Sequence, residues 1–513
     1  MPCSLLLVVR GRRHGELKTT VDVQQSTDRW MYNQSWCASL AFVQPVLSSL
    51  VEMWVYSWSN PKCNGKLPPG SMGFPFLGET LEFFAPHSFY NIPPFITKRI
   101  TRYGPIFRTS LLGKKVVVST DPEINNYIFQ QEGRSVLLWY TESFTNIFGQ
   151  QSVVAQHGMI HKYLKNLILH LVGPENLKAN IVHELDELIR RHLRSWATHA
   201  TVDLKEVASN MVFSYAAKKL FSYDDSNSIM ELRENFKAFM DGLITFPLDI
   251  PGTSYHACLQ GMKNIKKIIK DLFEERKASK TSHGDFLDNL VVEVERKESI
   301  LDEGMAIDLV VALLFAIYET TSALMTLGTM FISDHPHVLA ELTKEHEEIL
   351  RRRDNEESEI TWQEYKSMTF THMVINETLR LANIVPGIFR KVVQDIELKG
   401  KFKMRHTIPA GWVVVVVPLA VHLNSDVYTN PFTFNPWRWE GKELHAGSKT
   451  FMAFGGGVRL CVGADFAKLQ MTFFIHYLVT KYRWKVVGGG DIIRRPGLVF
   501  PNGLPIEISE KGK

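Results

Sequence analysis

The sequence predicts a mainly α fold of the α+β class. Three observations carry that expectation. Residues 176–245 keep a helical period with mixed charge, and Met305 to Met330 is one long apolar run. The β-branched residues gather in short runs, at 106–120 and 413–417, which suits small sheets. An apolar share of 45% against 22% charged residues describes a globular chain, and 513 residues can bury a large core. A net charge of +4 is too mild to argue for nucleic acid, though it suits a basic face meeting an acidic partner. The five cysteines (Cys3, Cys37, Cys63, Cys258 and Cys461) are odd in number and scattered. That argues against a disulfide framework and for a reducing compartment.

Residues 1–35 read as an N-terminal extension without a motif. Ser4 to Val9 is apolar but too short to span a bilayer, and Arg10, Arg12 and Arg13 follow it. Residues 36–58 have the length of a spanning helix, with Trp36 and Trp58 at the ends, and are expected to anchor the chain in a membrane. Gln44, Pro45 and Glu52 are the residues that fit an anchor least. Residues 59–78 hold Lys62, Lys66 and a dense set of prolines and glycines, a stiff, turning hinge. The remaining residues, 79–513, form the expected catalytic domain.

Within it, Ile106 to Leu111 and Val116 to Val118 read as a hairpin turning at Gly113-Lys114. Residues 134–160 are apolar and irregular, and Trp139 and Phe144 there read first as packing. A helix starts near His161 and Lys165, which lie one turn apart. Phe246 to Thr253 holds two prolines and a glycine and must be a loop. The apolar helix after it has one polar break, Ala316-Ile317-Tyr318-Glu319-Thr320-Thr321-Ser322. An acid and hydroxyls in a buried helix are costly unless satisfied, which makes the cluster a functional candidate. Glu377 and Arg380 share a helix face, by itself an ordinary surface pair. Ile384 to Arg390 enters a strand, Ile408 to Trp412 turns into the strand Val413 to Val417, and Leu498 to Gly503 is a strand and turn.

Phe454 to Gly463 is a glycine-rich loop with a lone cysteine, Cys461, before the amphipathic run Ala464 to Leu478. Glycine lets backbone approach a flat ligand, and amides at a helix start favour a thiolate, the form that ligates metal. A cysteine in such a turn is more often a small buried hydrophobe. The spacing of Phe454, Gly457, Arg459, Cys461 and Gly463 is much more specific. It resembles the haem-binding loop of the cytochrome P-450 family, with every fixed position present.

That resemblance runs from about residue 62 to 508 and implies a fold with a long central helix over haem b, the cysteine loop beneath it and small β-sheets. It implies Cys461 as the axial ligand of the haem iron, with Phe454 and Gly457 beside it and Arg459 toward a propionate. His161 and Lys165 stand where the general family has Trp and Arg. Such a His-Lys pair resembles the plant branch that oxidises steroids, triterpenoids and isoprenoid hormones, and implies propionate contacts, as does Arg390. Thr320 and Glu319 take the oxygen-activating hydroxyl and proton-relay positions. Ile317 departs from the family's glycine or small residue and, with Ala316, is expected to shape the pocket. Trp139, Phe144, Val385, Ile388, Val499 and Phe500 are the weaker pocket expectations. Glu377, Arg380 and Arg438 match a structural triad. The resemblance further implies O2, a small lipophilic substrate, and electrons from NADPH–cytochrome P-450 reductase. It places the chain at the endoplasmic reticulum membrane, its catalytic domain on the cytosolic face. The rival readings are an O2-independent isomerase or dehydratase of the same family, which tends to lose the acid-Thr pair, and a non-catalytic haem-binding protein.

Overall fold

The computed structural model describes residues 65–74, 77–223, 226–279, 281–398, 406–442, 448–495 and 497–512, with residues 45, 48–53 and 55–56 before them. The chain divides into two units, Met1–Pro61 and Lys62–Lys513. The expected extension, 1–35, lies outside the described residues, as does most of the expected anchor, 36–58. Those described within the anchor are helical and mostly exposed.

The second unit is mainly α. Its helices of seven or more residues, among the described residues, are α1 (Pro94–Tyr103), α2 (Pro122–Gln130), α3 (Glu142–Phe148), α4 (Gly158–Val172), α5 (Val182–Trp196), α6 (Leu204–Phe221), α7 (Ser226–Gly242), α8 (Ser254–Ser279), α9 (Phe286–Glu295), α10 (Glu303–Asp334), α11 (Pro336–Arg351), α12 (Thr369–Ala382) and α13 (Ala464–Lys481). The strands are β1 (His87–Ser88), β2 (Ile106–Leu111), β3 (Lys114–Ser119), β4 (Val136–Leu138), β5 (Val202–Asp203), β6 (Ile388–Val392), β7 (Ile396–Leu398), β8 (His406–Ile408), β9 (Val413–Val416), β10 (Tyr482–Val486), β11 (Ile493–Arg495), β12 (Gly497–Val499) and β13 (Pro505–Glu510).

The largest sheet has the order β2-β3-β9-β6-β4. Val116 to Ser119 pair in parallel with Val413 to Val416, so two valine-rich runs far apart in sequence bury each other. The predicted hairpin forms, but it turns at Leu112-Gly113 rather than Gly113-Lys114. Both turn residues have positive φ, 50° and 71°, the pair that a two-residue hairpin with native twist requires. Three small sheets complete the β structure: β1-β11-β12, β10-β13-β5 and β7-β8. Residues 176–245 are less continuous than their period suggests. A π turn at Leu177–Ile181 precedes α5, and β5 interrupts the run because Val202 pairs with Ile506. Asp203 then caps α6, accepting from Lys205 N at 3.0 Å.

α10 is the axis of the unit. Asp302 caps it by accepting from Met305 N at 2.7 Å, and its 32 residues run for about 48 Å. It is buried from Met305 to Leu314 and from Thr321 to Ile332. Among the described residues it is the one helix long and apolar enough to cross a membrane, yet 67% of its apolar window is buried inside the fold. α13 crosses it where Gly328 leaves room for Met471; a Cβ there would sit 2.2 Å from Met471 Cε.

The described part of the hinge, 65–74 and 77–78, is not a loose tether. Arg108 N donates to Pro69 O and Glu79 N to Ser110 O, both at 2.8 Å, so the segment runs along β2. Arg494, fully buried on β11, donates to the carbonyls of Leu381, Ala382 and Asn383 at the end of α12 and of Phe89 beside β1, at 2.6–3.3 Å. A cation suits the negative end of a helix, and without it those carbonyls are stranded. Arg494→Met is expected to lower stability by about 2–4 kcal/mol, read as a lower urea midpoint. An unchanged midpoint would mean that water takes over the donor's role.

Candidate active site

The cysteine loop is shaped by what lies beneath it. Cys461 N donates to Phe454 O at 3.0 Å and Gly455 N to Met452 O at 2.9 Å, closing the loop on itself. A Cβ on Gly456 or Gly457 would lie 2.5 Å or 2.3 Å from Phe129, so α2's last turn dictates these glycines as much as any ligand does. Gly457 also needs positive φ, 64°. Phe454 packs on the core, with Lys468 Nζ 6.0 Å from its ring. Cys461 is an accessible free thiol, whereas Cys258 is buried. Desolvation in this concave position pushes the Cys461 thiol up, against the opposing pull of Gly463 N–H and Lys165.

Beside the loop, distant segments converge. Arg459 Nε lies 3.1 Å from Glu132 Oε1 and Arg390 Nε 2.7 Å from Glu132 Oε2. Arg459 Nη2 donates to Gln156 O at 2.6 Å and lies 2.9 Å from His157 Nδ1. Lys165 Nζ donates to Val458 O at 3.1 Å. Burial, then Arg459 and Lys165, push His161 down to about 4, and burial, then Arg459, lowers His157 against the pull of Glu132. Arg459, Arg390, His161 and Lys165 were expected together and lie together. Glu132 and His157 were not anticipated, since Glu132 meets Arg459 from 327 positions away.

Across α10, the stretch Phe315 to Thr320 is accessible within an otherwise buried helix, and Ala316 is exposed. Thr320 Oγ1 donates to Ala316 O at 2.7 Å. Glu319 is held by a residue the sequence did not flag: Lys205 Nζ on α6 lies 3.4 Å from Glu319 Oε2, 3.0 Å from Ser322 Oγ and 3.3 Å from Ser209 Oγ. Burial pulls the Lys205 ammonium down, and Glu319 opposes that. Lys205 also lies 5.7 Å from the ring of Phe500, which brings that turn to the same place. Phe144 stacks between Tyr140 and Phe148, at 4.5 and 4.7 Å, and Phe148 meets Phe315 at 5.1 Å. Trp139 lies against Phe389 at 6.2 Å, and Ile388 approaches Gly455. Ile317 is half-buried, while Val385 and Val499 are exposed.

The Glu377 carboxylate is fully buried. It accepts from Arg380 Nε and Nη2 at 2.8 Å, Arg438 Nε at 2.9 Å, and Asn435 N and Trp439 Nε1 at 3.0 Å. Arg380 and Arg438 spend their other nitrogens on carbonyls of residues 422–433. Arginine's planar fork is what allows this; a lysine offers one point charge.

These residues fit haem. The donor set holds one accessible sulfur. The cluster beside it has three cations, Arg390, Arg459 and Lys165, against one carboxylate, Glu132, an excess of two positive charges for two propionates. The open stretch of α10 is apolar apart from the Tyr318 hydroxyl and Glu319-Thr320.

The cytochrome P-450 family model matches residues 68–504. Cytochrome P-450 87A3 of Oryza sativa subsp. japonica is 52% identical over 461 residues, 89% of this chain and 89% of that protein. The beta-amyrin 16-alpha-hydroxylase of Maesa lanceolata is 40% identical, covering 91% of this chain and 98% of its own. Retinoic acid-bound cyanobacterial CYP120A1 superposes with a TM-score of 0.77 at 24% identity, over 87% of this chain and 100% of its own, a likeness of fold. With the match spanning most of the catalytic unit, the chain belongs to the cytochrome P-450 family of haem-dependent monooxygenases.

Proposed function

We propose that this chain is a membrane-anchored monooxygenase that hydroxylates a lipophilic isoprenoid, a triterpenoid or sterol, with Cys461 as the haem iron's thiolate ligand. The observation that carries the reading is the accessible thiol of Cys461 beside a cluster with two spare positive charges. Arg459, Arg390, Lys165 and His161 would hold the propionates, and Phe454 would pack beside the sulfur. Haem bound there would supply oxygen activation and C–H oxidation.

The chain's own residues serve the proton and the substrate. Glu319 is partly exposed and takes up protons at its carboxylate, while Lys205 holds that carboxylate in place. Thr320 Oγ1 spends its proton on Ala316 O and keeps lone pairs free to accept. The partly exposed aromatics Tyr140, Phe144 and Phe315, backed by the buried Phe148, favour an apolar, extended substrate. Likeness to an enzyme that acts on beta-amyrin supports the substrate class. Phe246, Leu248 and Ile250 are exposed on the loop between α7 and α8, consistent with substrate entry from a bilayer. The apolar segment 36–58 and the basic hinge support an endoplasmic reticulum anchor with the catalytic unit on the cytosolic face, where NADPH–cytochrome P-450 reductase would deliver electrons.

The reduced carbon monoxide complex is expected to absorb at the wavelength that gives the family its name. Cys461→His should move the band to shorter wavelength with the fold intact; an unmoved band would exclude Cys461 as ligand. With reductase, NADPH and beta-amyrin or a related triterpenoid, O2 uptake should yield a singly oxygenated product. Uptake without product across such substrates would withdraw the substrate class. Thr320→Ala should cut product per electron roughly tenfold or more, the electrons going to peroxide and water. Ile317→Gly should change the product profile, and an unchanged profile and coupling would remove Ile317 from the pocket.

A further inference from the structure

Glu132 sits where a negative charge looks out of place. Its side chain is 4% exposed, and it faces the two arginines expected to meet haem carboxylates. Its place is set by its own segment. Leu138 N donates to Glu132 Oε1 at 3.0 Å, and Gly133 N donates to Val136 O at 2.9 Å, closing the turn after α2. The same segment supplies Phe129, against which Gly456 and Gly457 pack and over which Arg390 lies at 5.7 Å. One carboxylate thereby joins the turn after α2, strand β6 and the cysteine loop.

The way the nitrogens are used is informative. Arg459 Nε donates to Glu132 Oε1 at 3.1 Å, whereas Arg390 Nε meets Oε2 at 2.7 Å as an ion pair without hydrogen-bond alignment. Arg459 Nη2 is taken by Gln156 O and His157, and Arg390 Nη1 by Phe389 O. Among the described residues, neither Arg390 Nη2 nor Arg459 Nη1 has a hydrogen-bond partner. Arg459 is thus held on one side by hydrogen bonds and Arg390 by charge and the Phe389 carbonyl, and each offers a donor on the other. The clamp also sets the charge, because without Glu132 the cluster would carry three positive charges, one more than two propionates balance.

We propose that Glu132 is a positioning residue for the haem: it orients Arg390 and Arg459 toward the propionates and, as a buried anion paired with Arg459 two residues before Cys461, lowers the iron's reduction potential. This rests on the haem-thiolate reading above. An electron added to the iron is repelled by a nearby carboxylate more strongly in a buried site than in water, so neutralising that carboxylate favours the reduced state.

Glu132→Gln, nearly isosteric and still able to accept from Leu138 N, tests this in the full-length haem-loaded protein. The midpoint potential should become more positive, and haem transfer to excess apomyoglobin should quicken roughly tenfold or more. Glu132→Asp, which keeps the charge but shortens the reach, should leave the potential near that of the unmodified protein while still speeding haem loss. An unchanged potential and haem-loss rate in Glu132→Gln would overturn the proposal, as would equal potentials in the Gln and Asp variants. The reduced carbon monoxide spectrum separates the two levels. A missing thiolate band in the unmodified protein sinks the haem-thiolate reading, whereas a normal band with an unmoved potential in Glu132→Gln sinks the role of Glu132 alone.

Discussion

A carboxylate taken wholly out of water is tolerable only if nearly every lone pair is used, and Glu377 meets that condition. Two arginines, an indole and a main-chain amide surround it. The arginines then reach the carbonyls of residues 422–433, a stretch with little regular structure to hold it. His422 passes the order on, taking Met452 N on its Nε2 at 3.0 Å, two residues before the cysteine loop begins. The position of the thiol thus descends from a buried ionic centre through a relay of side-chain to main-chain bonds. Loss of one partner would leave a buried charge uncompensated, so the centre behaves as a unit.

The cysteine loop and the central helix handle polarity in opposite ways. The loop gathers positive charge and is braced from below by Phe129, so its glycines answer to protein packing. The central helix is apolar for most of its length and takes a buried or half-buried acid at two places, Asp308, which Lys266 meets at 2.7 Å, and Glu319, which Lys205 answers. Such a division suits chemistry in which a large apolar molecule and a proton must reach one place by separate routes.

Much of this was legible in the sequence because it is local. The loop spacing, the Glu319-Thr320 break and the Glu377–Arg380 pair each lie within ten residues. The valine runs announced the sheet. What escaped is non-local. Nothing near Lys205 marks it as the partner of Glu319, 114 positions on. Glu132 follows a helix end like any solvated acid, and only the tertiary fold closes two arginines over it. The hairpin turn slipped by one residue because Leu112 occupies a left-handed position that local propensity assigns to glycine or asparagine. The helical period over 176–245 concealed β5, because two residues that pair with the chain's C-terminal strand leave no pattern of their own.

The proline- and glycine-rich stretch along β2 has a consequence for solubility. β2 is the outermost strand of the five-stranded sheet, and an uncovered outer strand is a template for other chains. Residues 69–70 and 78–79 occupy part of that hydrogen-bonding rim, and Gly70 and Gly78 come so close that a Cβ would lie 2.0 and 2.1 Å from the carbonyl oxygens of Arg108 and Ser110. A shortened chain beginning past Gly78 would bare the rim and invite intermolecular pairing. The segment that reads as a tether is also the sheet's guard against aggregation.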